Sequence, residues 1–519
     1  MKKPIITYNS QGKIAVRTVK LCISLLVVML FLTSCSDWFD INDNPDVPQD
    51  VGYKNVLPSG ISSVAYVLGG RYQVLGALWS QHWTQSPGAS QYSGLDSYDI
   101  NSSTFDDNQF GELYSGALQN LEYVKNESFK AGHWNYYLMA TVMQAYTFQI
   151  LADLYNQIPF SEALKGSGDE LEPHFEKGRD IYDSLITRIN YALSLDYEND
   201  ELEDIEGEDL IFGGDIEKWV AFANTLKLKI YLRQTEANPV VAEAGIRELF
   251  DNEVDFLEED AALDLFTNEA GRRNPLYDTE VNVFGNNPNL ILSKTLYSFL
   301  VENNDFDRLD YLFNTPANGG EHKALEQGNY YAPDEPAGIN SNSYSKPVFR
   351  FDAPVYLMSY SESCFLQAEA IIRFYPEDYD DAKEKYDEGV RQSFNRITGV
   401  INESSVNLVL GGSYSFPSEG SELENFIESI IVQKWIALSG IQNLETFFEH
   451  NRTRYPKISP VPADDNNYEP GEFSISVNNV TSGKFPKRLI FPESEYASNR
   501  NTPPKKDVWE KIWWDTKQE

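Results

Sequence analysis

The side chains that could catalyse a reaction in this 519-residue chain form no recognisable catalytic arrangement. Its five histidines are scattered, with no HExxH motif and no pair at the spacing of metal ligands. The sequence has no GxSxG nucleophile turn, no GxxxxGK(S/T) phosphate loop and no GxGxxG dinucleotide loop. Its 79 acidic residues offer many carboxylate pairs for glycoside hydrolysis, but no one pair stands out. We therefore expect a binding protein rather than an enzyme, with no metal site and no cofactor.

The N-terminal residues indicate a different chemistry, acylation of Cys35. Five basic residues and no acid precede the apolar run Leu21–Leu32. This run is too short to span ~30 Å of hydrocarbon, which needs about 20 residues, so it is typical of a signal peptide. Leu32-Thr33-Ser34-Cys35 resembles the bacterial lipobox, in which the thiol is acylated and the preceding bond is cut. We predict a signal peptide at 1–34, a lipidated tether at 35–54, a folded domain at 55–519 and attachment to a membrane surface through the lipid.

Composition excludes one class of partner and one kind of stabilisation. The chain carries 42 basic and 79 acidic residues, a net charge of −37, which repels phosphate backbones and excludes nucleic acid. Cys22 leaves with the signal peptide and Cys35 is acylated, so Cys364 has no partner for an intramolecular disulfide. The acidic stretch Glu198–Asp209 lacks the EF-hand spacing, and a solvated loop is favoured over a calcium site.

Helical periodicity predicts a mostly α fold, a single large domain built on tetratricopeptide-like helix pairs with long irregular loops. No clean 34-residue repeat is present. Two long stretches rich in Gly, Asn, Pro, Ser and Tyr interrupt the pattern: Pro87–Thr104, and Asn268–Lys346 around a helix at 290–303. Long loops on a helical scaffold are commonly functional. The predicted helical segments are Tyr136–Tyr155, Arg179–Leu195, Trp219–Leu232, Leu290–Leu300, Pro354–Phe374, Tyr379–Phe394 and Leu423–Phe448.

Ordered motifs along the chain resemble those of the SusD/RagB family, and most closely its SusD-like group 2 branch. Residues 151–164 (LADLYNQIPFSEAL) are similar to the family pattern LTDxYGxIPYSEA, with Ala152, Asn156 and Phe160 in place of the usual Thr, Gly and Tyr. Further family-like blocks follow in order at 209–228, 354–370, 433–453 and 488–515. We expect the motif residues to pack and cap the scaffold rather than bind ligand. These scaffold residues are Asp153, Trp219, Asn224, Tyr360, Glu369 and Trp435.

The resemblance implies an outer-membrane lipoprotein, facing the exterior, that captures a glycan. It further implies delivery of that glycan to a partner SusC-like TonB-dependent transporter. Three alternatives remain open: a peptide-binding member of the same family, a surface-anchored all-α glycoside hydrolase, and a lipid-anchored helical-repeat scaffold that binds only proteins.

Sugar recognition needs flat aromatic faces for the C–H side of the ring and polar groups for its hydroxyls. Aromatic residues on the irregular stretches are therefore the best candidates for glycan contact. We predict one wall of the site from Trp83, Tyr92, Tyr98 and Asn101. The second stretch contributes Tyr277, Phe284, Tyr330 and Tyr331, with Arg272 and Arg273 available for an acidic sugar.

Overall fold

The helical periodicity of the sequence is realised as helices that pack on one another along most of the chain. The computed structural model describes residues 52–165, 171–197, 202, 204–205, 207–285, 288–331, 341–398 and 402–518. Tyr53–Glu519 forms one compact unit. The predicted signal peptide, the lipidation site Cys35 and nearly all of the predicted tether lie outside the described residues, as does part of the acidic stretch 198–209.

The helices confirm the predicted mostly α class. Consecutive helices pack in pairs joined by short turns, for example at 119–155 and 360–398. The α-helices are α1 (Tyr53–Leu68), α2 (Arg71–Trp79), α3 (Ser93–Asp96), α4 (Gln119–Ala131), α5 (Trp134–Tyr155), α6 (Gly178–Leu193), α7 (Ile216–Arg233), α8 (Pro239–Asp251), α9 (Pro275–Tyr277), α10 (Lys294–Glu302), α11 (Phe306–Leu312), α12 (Tyr360–Phe374), α13 (Tyr379–Thr398), α14 (Glu403–Leu410), α15 (Leu423–Ala437), α16 (Asn443–Thr453) and α17 (Glu493–Ser498). Three π-helical turns lie at Asp107–Gly111, Leu113–Leu118 and Asp278–Val283, and a 3-10 turn lies at Ser341–Ser343.

Short antiparallel strand pairs tie the irregular segments to the helices. The strands are β1 (Trp83–Gln85), β2 (Gln157–Pro159), β3 (Phe175–Lys177), β4 (Ala261–Leu263), β5 (Leu290–Leu292), β6 (Phe313–Asn314), β7 (Lys346–Pro347) and β8 (Val355–Met358). They pair as β1–β5, β2–β3, β4–β8 and β6–β7. The β1–β5 pair matters most for the site, because it joins the two irregular stretches of the sequence, with Trp83 opposite Leu292.

Three predicted helix boundaries are wrong. Residues 290–292 form β5, and α10 begins after Ser293, whose hydroxyl accepts a hydrogen bond from the Thr295 N–H at 3.3 Å. Pro354 precedes a strand, and α12 begins after Ser359, whose hydroxyl caps the Glu362 N–H at 3.2 Å. The segment 423–448 is split into α15 and α16 at a turn where Gly440 has a φ of +80°. In the first two cases, a short apolar run fits a strand as well as a helix.

The core surrounds α5, which is buried on nearly every face. A helix that is apolar all round needs neighbours on all sides, and α4, α6 and α7 supply them. Close approach elsewhere depends on glycine. A Cβ added at Gly76 in α2 would lie 2.2 Å from the backbone nitrogen of Leu444 in α16. No helix among the described residues is both long enough and apolar enough to span a membrane.

The family-like motif residues build this scaffold, as predicted. Buried Asp153 accepts hydrogen bonds from the Trp514 indole at 2.7 Å and from the Tyr182 hydroxyl at 2.6 Å. The Trp219 indole donates to Asp209 at 2.7 Å, and the Trp435 indole donates to the Ser80 carbonyl at 2.8 Å. Because these polar groups are buried and satisfied within the fold, they stabilise it and do not face a ligand.

A group of buried charges links the central helices. We call it the buried ion network. Arg233 contacts Glu445 and Glu449, each at 2.5 Å, and Lys229 contacts Glu362 at 2.7 Å. The members of the network are Asp153, Lys229, Arg233, Glu362, Glu369, Lys434, Glu445, Glu449 and Arg452.

Candidate ligand-binding clefts

Asp96 fixes the irregular segments that carry the predicted site. Its carboxylate accepts hydrogen bonds from the Thr84 hydroxyl at 2.8 Å and the Gln85 N–H at 2.9 Å, and from the Gln327 amide. It therefore connects α3 to β1 and to the second irregular stretch near Gly328. Burial raises the pKa of Asp96 to about 6, against the opposing effect of these donors.

The first cleft, which we call the Trp83 cleft, lies beside β1. It encloses a cavity of about 120 Å³ and opens to solvent. Trp83 lies at its inner wall and packs edge to face on Phe349, with ring centroids 5.7 Å apart and an interplanar angle of 89°. Only 3% of Trp83 is exposed, so little of the indole is accessible from the cleft.

The rim of the Trp83 cleft presents an accessible ring and two cations. Tyr311, at the end of α11, is 36% exposed. Arg396 lies 5.8 Å from the ring centroid of Tyr356, and burial raises the pKa of that tyrosine to about 12. Arg350 forms a two-pronged ion pair with Asp352, with N–O distances of 3.1 and 3.2 Å. An apolar hollow with polar groups at its edge suits a ligand that has both C–H faces and hydroxyls.

The second cleft, which we call the Tyr66 cleft, meets the first at Leu276, which lines both. It encloses a cavity of about 150 Å³. Tyr66 in α1 is 58% exposed, and Tyr92 packs edge to face on Phe284 with ring centroids 6.4 Å apart. The Tyr92 hydroxyl donates to Glu280, and burial raises the pKa of this carboxyl.

Neither cleft contains the carboxylate pair that glycoside hydrolysis uses. Among the described residues that line them, none is Asp or Glu. The buried carboxyl of Glu280 accepts a hydrogen bond from the hydroxyl of Tyr92, which lines the Tyr66 cleft.

The ten predicted ligand contacts do not lie together. Trp83 lines the Trp83 cleft, whereas Tyr92 and Phe284 line the Tyr66 cleft. Tyr98 lines neither cleft: it is buried, has a φ of +64°, and its hydroxyl accepts the Ser476 N–H at 3.2 Å. Asn101 is exposed, and its side-chain oxygen accepts the Ser103 N–H at 2.9 Å in a local turn.

The remaining predicted contacts lie outside both clefts. Arg272 pairs with Glu269 and Arg273 with Asp278, each at 3.2 Å. Tyr277 packs edge to face on Phe351, with ring centroids 6.1 Å apart. Tyr330 and Tyr331 contact each other, with ring centroids 4.8 Å apart. Tyr331 is 74% exposed, so this pair offers a separate aromatic surface.

Sequence reasoning missed four rings that line the clefts. Tyr66 lies on helix α1, outside the irregular stretches from which the candidates were chosen. Tyr311 and Phe349 flank the strand pair β6–β7, and Tyr356 lies in β8. Tyr311 and Phe349 lie within or next to the second irregular stretch, and the preference for irregular aromatics offered a signal for them. Nothing local to Tyr66 or Tyr356 marks them as cleft residues.

Comparison with known proteins identifies the family. A family model described as "SusD-like_2: Starch-binding associating with outer membrane" matches residues 54–472, most of the chain, and the chain belongs to this family. No curated protein matches the chain.

Solved structures show the same fold at low identity. A SusD homologue from Bacteroides uniformis ATCC 8492 aligns with a TM-score of 0.72 and 22% identity, over 89% of this chain and 99% of that one. A SusD homologue from Bacteroides fragilis NCTC 9343 aligns with a TM-score of 0.69 and 20% identity, over 90% and 100%. A chitin-binding SusD homologue from Flavobacterium johnsoniae aligns with a TM-score of 0.67 and 18% identity, over 90% and 98%.

Proposed function

We propose that the protein is a lipid-anchored, outward-facing protein of the outer membrane that binds a glycan in the Trp83 cleft and delivers it to a SusC-like TonB-dependent transporter. The observation that carries this proposal is the cleft itself. It is concave and lined by aromatic rings, it has polar groups at its rim, and none of its described lining residues is acidic. Membership of a family described as starch-binding and associated with the outer membrane supports both the ligand class and the location.

The proposed role is non-catalytic capture of modest affinity. Burying ~60 Å² of ring face at about 25 cal/mol per Å² contributes about 1.5 kcal/mol for each stacked ring. Two or three rings with net hydrogen bonds of about 1 kcal/mol each, less the entropy of association, give dissociation constants of roughly micromolar to millimolar. Such affinity serves capture if a transporter then encloses the ligand.

A glycan array with two matched tyrosine variants tests the proposal. Tyr311→Ala removes the exposed ring at the rim of the Trp83 cleft, and Tyr191→Ala removes a comparably exposed ring, 46% accessible, on α6. The array includes chito-oligosaccharides, because the Flavobacterium johnsoniae homologue binds chitin. We expect Tyr311→Ala to bind the best glycan about 10-fold more weakly, since 1.4 kcal/mol is a tenfold change, and Tyr191→Ala to bind like the wild type.

Three outcomes would count against this function. Equal binding by wild type and Tyr311→Ala would remove the Trp83 cleft as the site. Binding to a peptide panel but to no glycan would favour a peptide cargo. Glycan cleavage that is abolished by one Asp or Glu substitution would establish a hydrolase instead.

The anchor and the partner need their own measurements. Mass spectrometry of the membrane-extracted protein should find an acylated N-terminal Cys35, and Cys35→Ser should release the protein from the membrane. A transporter barrel should co-purify with the wild type from detergent extracts. Recovery of Cys35→Ser in the membrane fraction would contradict the anchor.

A further inference from the structure

Arg71, the first residue of α2, presents an unpaired positive charge in the Tyr66 cleft. Within the described ranges no carboxylate lies at ion-pair distance from its guanidinium. Its Nε atom is buried and has no hydrogen-bond partner. The guanidinium lies 5.5 Å from the ring centroid of Phe105 and packs against that ring.

The neighbouring arginines show how unusual this environment is. In a chain with 79 acids and 42 bases, carboxylates are abundant. Arg273 is paired with Asp278 at 3.2 Å, and Arg350 is paired with Asp352. The Glu280 carboxyl, which lies behind the cleft residue Tyr92, accepts a hydrogen bond from the Tyr92 hydroxyl. A buried donor left without a partner costs free energy, which an incoming anion would recover.

The other lining groups define the kind of anion. Gln91, Gln109 and Thr279 place amide and hydroxyl groups in the cleft, and the rings of Tyr66 and Phe284 supply apolar faces. A planar guanidinium binds a carboxylate through two parallel hydrogen bonds. A carboxylate, hydroxyls and a C–H face occur together in a uronic acid residue.

We propose that the Tyr66 cleft binds the carboxylate of an acidic sugar residue, with Arg71 as the specificity-determining residue. This inference rests on the proposed glycan-binding function and extends it. Because the Tyr66 and Trp83 clefts meet at Leu276, one oligosaccharide can place a neutral unit in the Trp83 cleft and an acidic unit in the Tyr66 cleft. In this proposal the acidic sugar binds to the guanidinium of Arg71 and not to those of Arg272 or Arg273, which are ion-paired.

The test compares each acid with its own neutral form. Calorimetric titrations of the full mature protein use oligosaccharides of galacturonate, glucuronate and mannuronate, each beside its methyl ester. We expect at least one acid to bind about 10- to 100-fold more tightly than its ester, the range that charged hydrogen bonds give. This preference should shrink as NaCl rises from 50 to 500 mM, because salt screens the carboxylate–guanidinium attraction.

Variants assign the preference to Arg71. Arg71→Gln should weaken binding of the acid far more than binding of the ester, so that the difference between acid and ester disappears. Arg71→Lys should retain part of the preference for the acid, since a lysine keeps the positive charge but cannot donate two parallel hydrogen bonds to one carboxylate. The control Arg272→Gln, which removes an exposed arginine paired with Glu269, should behave like the wild type.

The outcomes separate this inference from the proposed function. If no acid binds more tightly than its ester, or if Arg71→Gln weakens acid and ester equally, the inference is overturned. Glycan binding that is still lost in Tyr311→Ala would then leave the proposed function standing. Binding of free peptide carboxylates in preference to every uronate would also overturn the inference.

Discussion

Removing Arg233 should strongly destabilise the protein, because its guanidinium balances three buried carboxylates. It contacts Glu445 and Glu449 at 2.5 Å each, and its Nε lies 3.4 Å from Asp153. Arg233→Met keeps most of the side-chain volume but removes the charge. Breaking a buried ion pair by removing one partner costs about 3–5 kcal/mol, because the other charge is left uncompensated.

An exposed arginine provides the matched control. Arg247 pairs with Glu243 at 2.9 Å on the surface of α8, with side-chain exposures of 41% and 48%. Exposed pairs of this kind contribute about 0.2–1 kcal/mol. Urea denaturation at pH 7, followed by circular dichroism, should therefore show a loss in the free energy of unfolding for Arg233→Met several times that for Arg247→Met.

The stability of Arg233→Met should also depend on pH differently from the stability of the wild type. Nearby cations, including Arg233, hold the pKa of Glu445 below its usual range and that of Glu449 well below it. A depressed carboxyl pKa stabilises the wild type above the unfolded value of about 4.5, and this contribution is lost as the pH falls through the folded value. The deficit of Arg233→Met should therefore narrow on acidification from pH 7. A loss no larger than that of Arg247→Met, or a deficit independent of pH, would refute the reasoning.

Three further predictions concern packing, ionisation and thiol reactivity. In urea denaturation, Gly76→Ala should lower the free energy of unfolding by about 1–3 kcal/mol, because its Cβ would lie within 2.4 Å of the backbone of Asn443 and Leu444. The control Gly207→Ala, whose Cβ would have no atom within 4 Å, should change the free energy of unfolding little. Because the pKa of Asp96 is raised to about 6, its ionisation destabilises the fold as the pH rises from 3.8 to 6. The free energy of unfolding of Asp96→Asn should therefore rise by up to about 3 kcal/mol relative to that of the wild type between pH 4 and 7. A difference that does not change with pH would contradict this prediction. Burial raises the pKa of the Cys364 thiol to about 12, so a disulfide reagent should label Cys364 only after the protein unfolds. Rapid labelling of the native protein would contradict this prediction.

Long periodic segments were predictable from the sequence because their burial pattern repeats over many turns. The segment predicted at 136–155 is α5, which the structure extends to Trp134. Short apolar runs were not predictable, since Leu290–Leu292 and Val355–Met358 become strands only through pairing with β1 and β4. Their partners lie far away in the sequence, and local periodicity carries no information about them.

The candidate site was predictable only in part for the same reason. Choosing aromatic residues on irregular stretches found Trp83, Tyr92 and Phe284, which line the two clefts. The same criterion also selected Tyr98, which the fold buries against Phe485. The same criterion did not select Arg71. Arg71 is notable because it has no ion-pair partner among the described residues, and only the folded structure can show this.

The role of the Trp83 cleft in glycan binding is tested most directly by a crystal structure of the protein with the tightest oligosaccharide from the array. We predict a sugar ring in van der Waals contact with Tyr311, with its hydroxyls near Arg350 or Arg396. An oligosaccharide bound at the Tyr330–Tyr331 pair, with the Trp83 cleft empty, would contradict the proposed site.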